Sequence, residues 1–188
     1  MAIRFRDRLN ARAPALALIV TALIAPAAYP QVGPIQDAPP PPPCVEKQPA
    51  DVVSAWGLPA IAAQSGHDVQ EARANPLTLG KPNKMKLVTL ASARLPIAPG
   101  GAEQPKQYIY AGLAAFKIPK DGTYRVVTDE GMRIDVVADG KLVESTAFGR
   151  GPRCSGKFVD FHLRAGEAML QLVGAPHESV AVLIMPQP

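Results

Sequence analysis

The sequence has 188 residues, with 20 Lys plus Arg, 16 Asp plus Glu, only 5% aromatic residues and two cysteines. This length predicts one domain with appendages. Removing residues 1–27 takes away four arginines and one aspartate and leaves 16 basic against 15 acidic residues. The remainder is nearly neutral and lacks a basic cluster, which excludes a typical nucleic-acid-binding protein.

Residues 1–27 have the pattern of an export signal. Four arginines precede an apolar run at 13–28, and Ala25-Pro26-Ala27 fits the small-x-small rule for cleavage. The run is shorter than the roughly 20 residues that a spanning helix needs, although an uncleaved membrane anchor is the alternative. We therefore expect a periplasmic or secreted protein that has no membrane contact after signal cleavage.

Residues 28–44 predict a linker that, like the signal, is disordered. Five consecutive prolines at 39–43 favour an extended polyproline II spacer. Cys44 and Cys154 both lie in the exported part, and an isolated pair in an oxidising compartment most simply forms a disulfide. A lipid-modified Cys44 is the alternative, but prolines precede it where a lipoprotein signal has small and aliphatic residues.

Residues 45–76 predict an irregular cap, because glycines and prolines interrupt any long helix there. A short helix at 68–74 is allowed, with Asp68 near its N-cap. The cap contains the only tryptophan, Trp56. We expect this side chain to cover one end of the domain, since large aromatic residues dominate burial. Exposure in a sugar-binding cleft is the alternative.

Residues 77–188 predict an all-β domain, an antiparallel β-sandwich of jelly-roll type. Apolar residues alternate with polar ones at period two, which is typical of sheets with one buried face. The last segment is apolar on both faces, so it belongs inside its sheet. Lys120-Asp121-Gly122 and Asp139-Gly140 predict hairpin turns. The predicted strands are 77–82, 85–91, 112–119, 123–128, 132–138, 141–146, 157–163, 168–174 and 179–185.

A glycine-rich loop at 148–154 contains the first candidate binding residues. Arg150 and Arg153 lie among glycines, and the predicted disulfide at Cys154 would fix them. Two such side chains can hold a carboxylate or phosphate in bidentate fashion, although solvated arginines in an ordinary loop are the alternative. Together with Trp56, they are the candidate ligand-binding residues for an unknown small molecule, glycan or protein.

A metal site is the second candidate. Asp160 and His162 are two residues apart on one predicted strand and therefore project to the same side. With His177 or Glu178 as a further ligand, they would form a site of two histidines and one carboxylate. A hydrated strand face without metal is the alternative reading. No serine lies in a Gly-x-Ser-x-Gly elbow, and no phosphate-binding glycine pattern occurs. The sequence therefore favours a non-catalytic protein without a cofactor.

Four short motifs carry a resemblance to known proteins. They are Gly122-Thr123-Tyr124-Arg125, Ile134-Asp135-Val136-Val137, the Gly-x-Gly-Pro-x-Cys run at 149–154, and Val159-Asp160-Phe161. About the last 80 residues resemble short exported bacterial proteins and the small β-sandwich appendages that follow secreted peptidases. This resemblance implies a binding or accessory module.

Chains of this kind are sometimes labelled homogentisate 1,2-dioxygenase, an activity that uses Fe(II) held by two histidines and a carboxylate. The label implies an alternative function, a small metal-dependent oxygenase. Its Fe(II) ligands in this chain would be His162, His177 and Asp160.

Overall fold

The computed structural model of the chain describes residues 50–99, 109–151 and 156–188. These residues form two α-helices, one short 3-10 helix (Leu90–Ser92) and eleven β-strands. The helices are α1 (Ala50–Trp56) and α2 (Val69–Ala74). The strands are β1 (Ile61–Gln64), β2 (Asn83–Lys86), β3 (Val88–Thr89), β4 (Tyr110–Ile118), β5 (Gly122–Thr128), β6 (Arg133–Ala138), β7 (Lys141–Leu142), β8 (Ser145–Arg150), β9 (Lys157–Leu163), β10 (Gly166–Ala175) and β11 (Ser179–Pro186). In these three ranges, no helix is long and apolar enough to cross a bilayer.

The strands form two sheets. Sheet A has the order β1-β2-β11-β5-β9-β8, and sheet B has the order β3-β4-β10-β6-β7. Neighbouring strands are antiparallel except β1 and β2, which run parallel. The prediction of an all-β antiparallel sandwich is confirmed. The prediction that the last strand lies inside its sheet is also confirmed, because β11 pairs with β2 on one side and β5 on the other.

The inner faces of the two sheets bury one large apolar core. Every second residue of a strand points to the same side of its sheet. Removing the apolar side chains of the inner faces from water supplies the main favourable free energy of folding. Tyr124 is buried here because its hydroxyl donates a hydrogen bond to the carbonyl of Lys120 at 2.9 Å. The core includes Phe116, Ile118, Tyr124, Val126, Ile134, Val136, Val159, Phe161, Leu170, Leu172, Val182 and Ile184.

Each outer face is partly covered by a helix. On sheet A, Val52 of α1 is fully buried against Leu183 and Phe158. On sheet B, Ala72 of α2 is fully buried against Leu113. These contacts explain why several strands are apolar on both faces, since the second face is shielded by a helix rather than by the other sheet.

Helix α2 begins as the sequence predicts. Asp68 Oδ1 accepts a hydrogen bond from the backbone N–H of Glu71 at 3.0 Å, which satisfies one of the free donors of the first turn. Glu71 in turn accepts from the backbone N–H of His67 at 2.9 Å. The rest of the predicted irregular cap is more regular than expected, because it also contains α1 and β1. Strand β1 joins sheet A, so the sheet begins earlier in the chain than residue 77.

One of the two predicted hairpin turns is confirmed and the other is wrong. Asp139 and Gly140 both have positive φ, 51° and 72°, and they connect β6 to its neighbour β7. The turn at Lys120-Asp121-Gly122 instead carries the chain from β4 in sheet B to β5 in sheet A. Gly122 is not among the glycines with positive φ. The Asp-Gly pair therefore predicted a turn correctly in both places, but it did not show whether the two strands joined by the turn pair with each other.

Two of the crossings between the sheets lie within short extended segments. Residues 83–89, which we call the closed corner, pass from β2 in sheet A to β3 in sheet B through the buried Leu87. Residues 141–150, which we call the open side, pass from β7 in sheet B to β8 in sheet A. The predicted strand at 141–146 is therefore wrong, since these residues belong to two strands in different sheets. The segment at 77–82 was predicted as a strand that ends in a turn. Its strand part is wrong, because only Leu77 makes a bridge in the described structure, to Phe116, but the turn is present at Leu79-Gly80.

Candidate functional site

Trp56 and Arg150 lie on opposite sides of sheet A. Trp56, the last residue of α1, is half-buried and packs in the same cluster as Phe158 on the outer side. It covers a sheet face, so the prediction that it covers one end of the sandwich is wrong. Arg150 lies directly opposite Lys157, whose side chain points to the other side from that of the adjacent Phe158. The side chain of Arg150 therefore points to the inner side of sheet A and does not converge with Trp56.

Arg153, Cys44 and Cys154 lie outside the described residues, as do the signal (1–27) and the linker (28–44). The convergence of the two arginines and the disulfide thus stay predictions. The predicted loop at 148–154 is wrong in its first part, because β8 continues as regular strand to Arg150.

Asp160 belongs to a largely buried ion pair. Arg125 and Asp160 are directly opposite on β5 and β9. Arg125 Nε and Nη2 donate to Asp160 Oδ1 and Oδ2 at 2.7 and 2.8 Å, and the two side chains are only 12% and 9% exposed. The guanidinium also lies 3.9 Å from the ring centroid of Phe158. Both carboxylate oxygens are therefore engaged within the sheet, which gives Asp160 a structural role.

The two candidate histidine ligands lie far apart. His177 lies in the turn after β10, where its Nδ1 is 2.5 Å from Glu130 Oε1. Glu130 adjoins the end of sheet A at which Lys157 begins β9. His162 is five residues further along that strand, or about 16 Å at the usual rise per residue. The structure does not bring His162, His177 and Asp160 together. No group of three potential metal-ligating side chains occurs among the residues that the structure describes.

Phe148, in the middle of β8, is the most exposed of the large apolar side chains in the described ranges, at 73%. It lies opposite Val159, a core residue, and therefore points to the inner side of sheet A. Sheet A ends in this six-residue strand, whereas sheet B ends in β7, which has only two residues. We attribute the exposure of Phe148 to this difference between the sheet edges in the described part of the chain.

Strand β8 is also an open sheet edge. It has six residues, and within the ranges that the structure describes its one partner strand is β9, so the other side of the strand is a sheet edge of the kind to which a further strand can be added. The remaining edge strands of the described sheets are shorter: β1 has four residues, and β3 and β7 have two each. One irregularity between Ser145 and Ala147 interrupts the ladder to β9. The most accessible edge of the sandwich therefore carries its most exposed aromatic ring.

Basic side chains flank this ring. The Nζ of Lys157 lies 6.0 Å from the ring centroid of Phe148, at the outer limit of a cation–π contact. Arg150 is exposed two residues further along β8, directly opposite Lys157. An acidic residue, Glu144, occurs only before β8 begins. The middle and end of this edge thus combine an apolar ring with positive charge.

Sequence reasoning missed Phe148 because it was assigned to the glycine-rich loop. The residues around it carry no clear signal, because Thr146, Phe148 and Arg150 differ in polarity and a glycine lies between the last two.

Neither a family model nor a curated protein matches the sequence.

Proposed function

We propose that this chain is an exported, non-catalytic binding module that takes an extended segment of another protein onto the β8 edge. One observation carries the proposal: a six-residue edge strand presents a phenylalanine that is 73% exposed at its centre. An extended segment can add to such an edge as a further strand, with backbone hydrogen bonds supplying affinity and side-chain contacts supplying specificity.

The composition of β8 supports this use of the edge. Sheet edges are commonly protected from chance pairing by lysines, prolines, short length or a covering element. The run Ser145–Arg150 contains no Lys, Pro, Asp or Glu, and its only irregularity lies at the start. Exposed aromatic residues are also frequent hot spots of protein interfaces. The irregularity and Arg150 protect only the two ends of β8, so the centre of this edge, with its aromatic residue, is better suited to recognition than to solvation.

The charges define the chemistry of the partner segment. A residue opposite Phe148 would pack on the ring and should be apolar. A residue two positions away on the same face, toward the Arg150 end of β8, would approach Lys157 and should be acidic, since opposite charges on neighbouring strands are favourable. The preferred segment therefore has an apolar residue with an acidic residue two positions before or after it, according to the direction of the added strand.

The amino-terminal pattern supports the exported location. A basic start, an apolar run and a small-x-small site are the parts of a cleavable signal. Export also agrees with the predicted pairing of Cys44 and Cys154.

Two short peptides test the proposal directly. The first is an acetylated and amidated peptide with the core Glu-Thr-Phe-Thr-Glu between Ser-Thr extensions, and the second replaces both glutamates by lysine. We expect the first to bind at least tenfold more tightly, which corresponds to 1.4 kcal/mol, as measured by isothermal titration. Hydrogen exchange at backbone amides of β8 should slow when the first peptide is bound, because strand addition engages the open edge.

Matched variants identify the surface. Phe148→Ser should weaken binding of the glutamate peptide at least tenfold and leave the thermal midpoint nearly unchanged, since the ring is exposed. Leu142→Ser, which removes an exposed apolar residue from the two-residue edge β7, should leave binding intact. Equal binding of both peptides, or full binding by the Phe148→Ser protein, would contradict the proposal.

A further inference from the structure

A separate pocket of about 350 Å³ opens at one end of the sandwich. It lies between the hairpin that joins β6 to β7 and the turn that joins β9 to β10. Its volume falls at the lower end of the range of about 300–1,000 Å³ that is typical of small-molecule sites. The pocket is distinct from the exposed ring of Phe148, which does not line it.

Two cations in this pocket have no acidic partner. Lys141 and Arg164 both line it, and neither forms an ion pair within 4.0 Å in the described part of the chain. Exposed lysines and arginines often lie in solvent alone, but these two border the same concave space from different turns. They therefore place two positive charges on the border of one concave space.

The acidic residues of the pocket compensate only part of this charge. Glu167 is already paired with Arg73, whose Nε lies 2.7 Å from its Oε1. Asp139 is the remaining carboxylate of the lining. Two cations against one uncompensated anion leave a net charge of +1 with the histidine neutral, which favours a ligand with one negative charge over a doubly charged phosphate.

The rest of the lining supplies an apolar surface and a further donor. Leu163 is buried, Val143 is half-buried, and Leu142 is exposed along the same wall. His162 also lines the pocket, and a neutral imidazole carries one N–H donor. A ligand with a short apolar body and one anionic head would satisfy both kinds of surface.

A neighbouring pocket on the outer face of sheet B has a different charge balance. Arg73, Asp139 and Glu167 line it, but its arginine is neutralised by the ion pair with Glu167. This second pocket therefore offers no uncompensated cation to a ligand.

We infer that the pocket lined by Lys141, Arg164 and His162 binds a small monocarboxylate with a short apolar body. Lys141 and Arg164 hold the carboxylate through charge-assisted hydrogen bonds, and the apolar body lies along Leu142 and Val143. This site is independent of the proposed strand-addition surface and gives His162 a role that does not involve a metal.

Nuclear magnetic resonance titration of the purified full-length chain tests the inference. The probes are benzoate and hexanoate, and their neutral controls are benzamide and hexanamide. We expect both carboxylates to shift backbone amide resonances of residues 138–143 and 162–167 in a saturable way. The amides should bind at least tenfold more weakly, because they lack the charge.

Variants distinguish this site from other surfaces. Lys141→Gln combined with Arg164→Gln should weaken benzoate binding at least tenfold, whereas Lys84→Gln, on the distant strand β2, should have no effect. Phe148→Ser should retain benzoate binding, so the two proposals can fail separately. Shifts that are equal for benzamide, lie outside the two ranges, or persist in the Lys141→Gln/Arg164→Gln protein would overturn the inference.

Discussion

The closed corner and the open side differ in how the chain passes from one sheet to the other. In both, a short extended segment carries the chain from one sheet to the other. At the closed corner, Leu87 and Met85 are buried in the shared core, and β1 extends sheet A beyond the crossing. At the open side, the crossing residues Val143 and Glu144 are half-buried and exposed, and β8 ends the sheet.

Because of this difference, we assign apolar packing mainly to the closed corner and exposed binding surface mainly to the open side. At the closed corner every second side chain of β2 and the following Leu87 are buried and contribute apolar packing, while Lys84, Lys86 and Thr89 are exposed. A crossing at the rim of both sheets contributes little packing, but it leaves an edge strand, an exposed ring and a pocket within one region. Both proposed binding surfaces accordingly lie on the open side.

The largest expected effect on stability tests whether the weakly packed open side extends inward from β8 to β9. Asp160 lies one strand inward from β8, and replacing it by alanine would leave Arg125 charged in a mostly buried position. Removing one partner of a buried pair costs about 3–5 kcal/mol. We therefore expect Asp160→Ala to lower the free energy of unfolding by that amount, as measured by urea denaturation.

The matched control replaces both partners by apolar residues. Arg125→Met together with Asp160→Leu should recover most of the loss, because neither residue then leaves a buried charge unpaired. A loss below about 1 kcal/mol for Asp160→Ala, the range of exposed pairs, would show that the weakly packed region includes β9 as well as β8.

The second prediction compares the two crossings directly. Leu87→Ala should cost about 3 kcal/mol, because it removes a buried side chain from a packed core. Val143→Ala should cost about 1 kcal/mol, since it removes less apolar surface that is only half-buried. Urea denaturation of the two variants measures both values, and equal losses would refute the assignment of stability to the closed corner.

The smallest expected effect lies at α2, outside both crossings. The backbone N–H of Glu71, followed by the Arg94 guanidinium at 2.6 Å from Oδ2, lowers the pKa of Asp68 from its ordinary value of 3.8. The same pairing raises the pKa of Arg94. Because folding favours the ionised carboxylate, its stabilising effect is present above pH 3.8 and is lost as the pH falls through the lowered value.

The comparison variant is Asp68→Asn, which keeps an acceptor at the helix start but removes the charge. We expect the native protein to have a slightly higher thermal midpoint than this variant at neutral pH. The difference should disappear at a pH well below 3.8. A difference that is the same at both pH values would show that the charge of Asp68 has no role.

The sequence predicted the layered architecture well because alternation is a local property. The inward positions of β6 and β9 follow from period two alone, and the shortage of helical periodicity excluded other fold classes. The start of α2 at Asp68 was predictable for a similar reason, since an N-cap is formed by residues that are adjacent in the chain.

Pairing of strands was not predictable to the same extent, because it depends on distant residues. Nothing at Lys120-Asp121-Gly122 shows that β4 and β5 belong to different sheets, since β4 pairs with β10 and β5 with β9 and β11, all of which come later in the chain. The exposure of Phe148 depends on how far sheet B extends, and the residues next to Phe148 in the sequence carry no information about that. The spacing of His162 and His177 likewise depends on the topology of the sheets.

The last strand along the chain is also a central strand of sheet A. Asn83 and Val182, which meet between β2 and β11, are 99 residues apart. While a ribosome is still adding residues 179–186, sheet A consists of two unconnected parts, β1-β2 and β5-β9-β8. Sheet A therefore cannot close before residues 179–186 have been synthesised, because distant strands must meet before the core can form. Such late closure would suit the export that we propose, since an unfolded chain passes through a narrow translocation pore more readily than a closed sandwich.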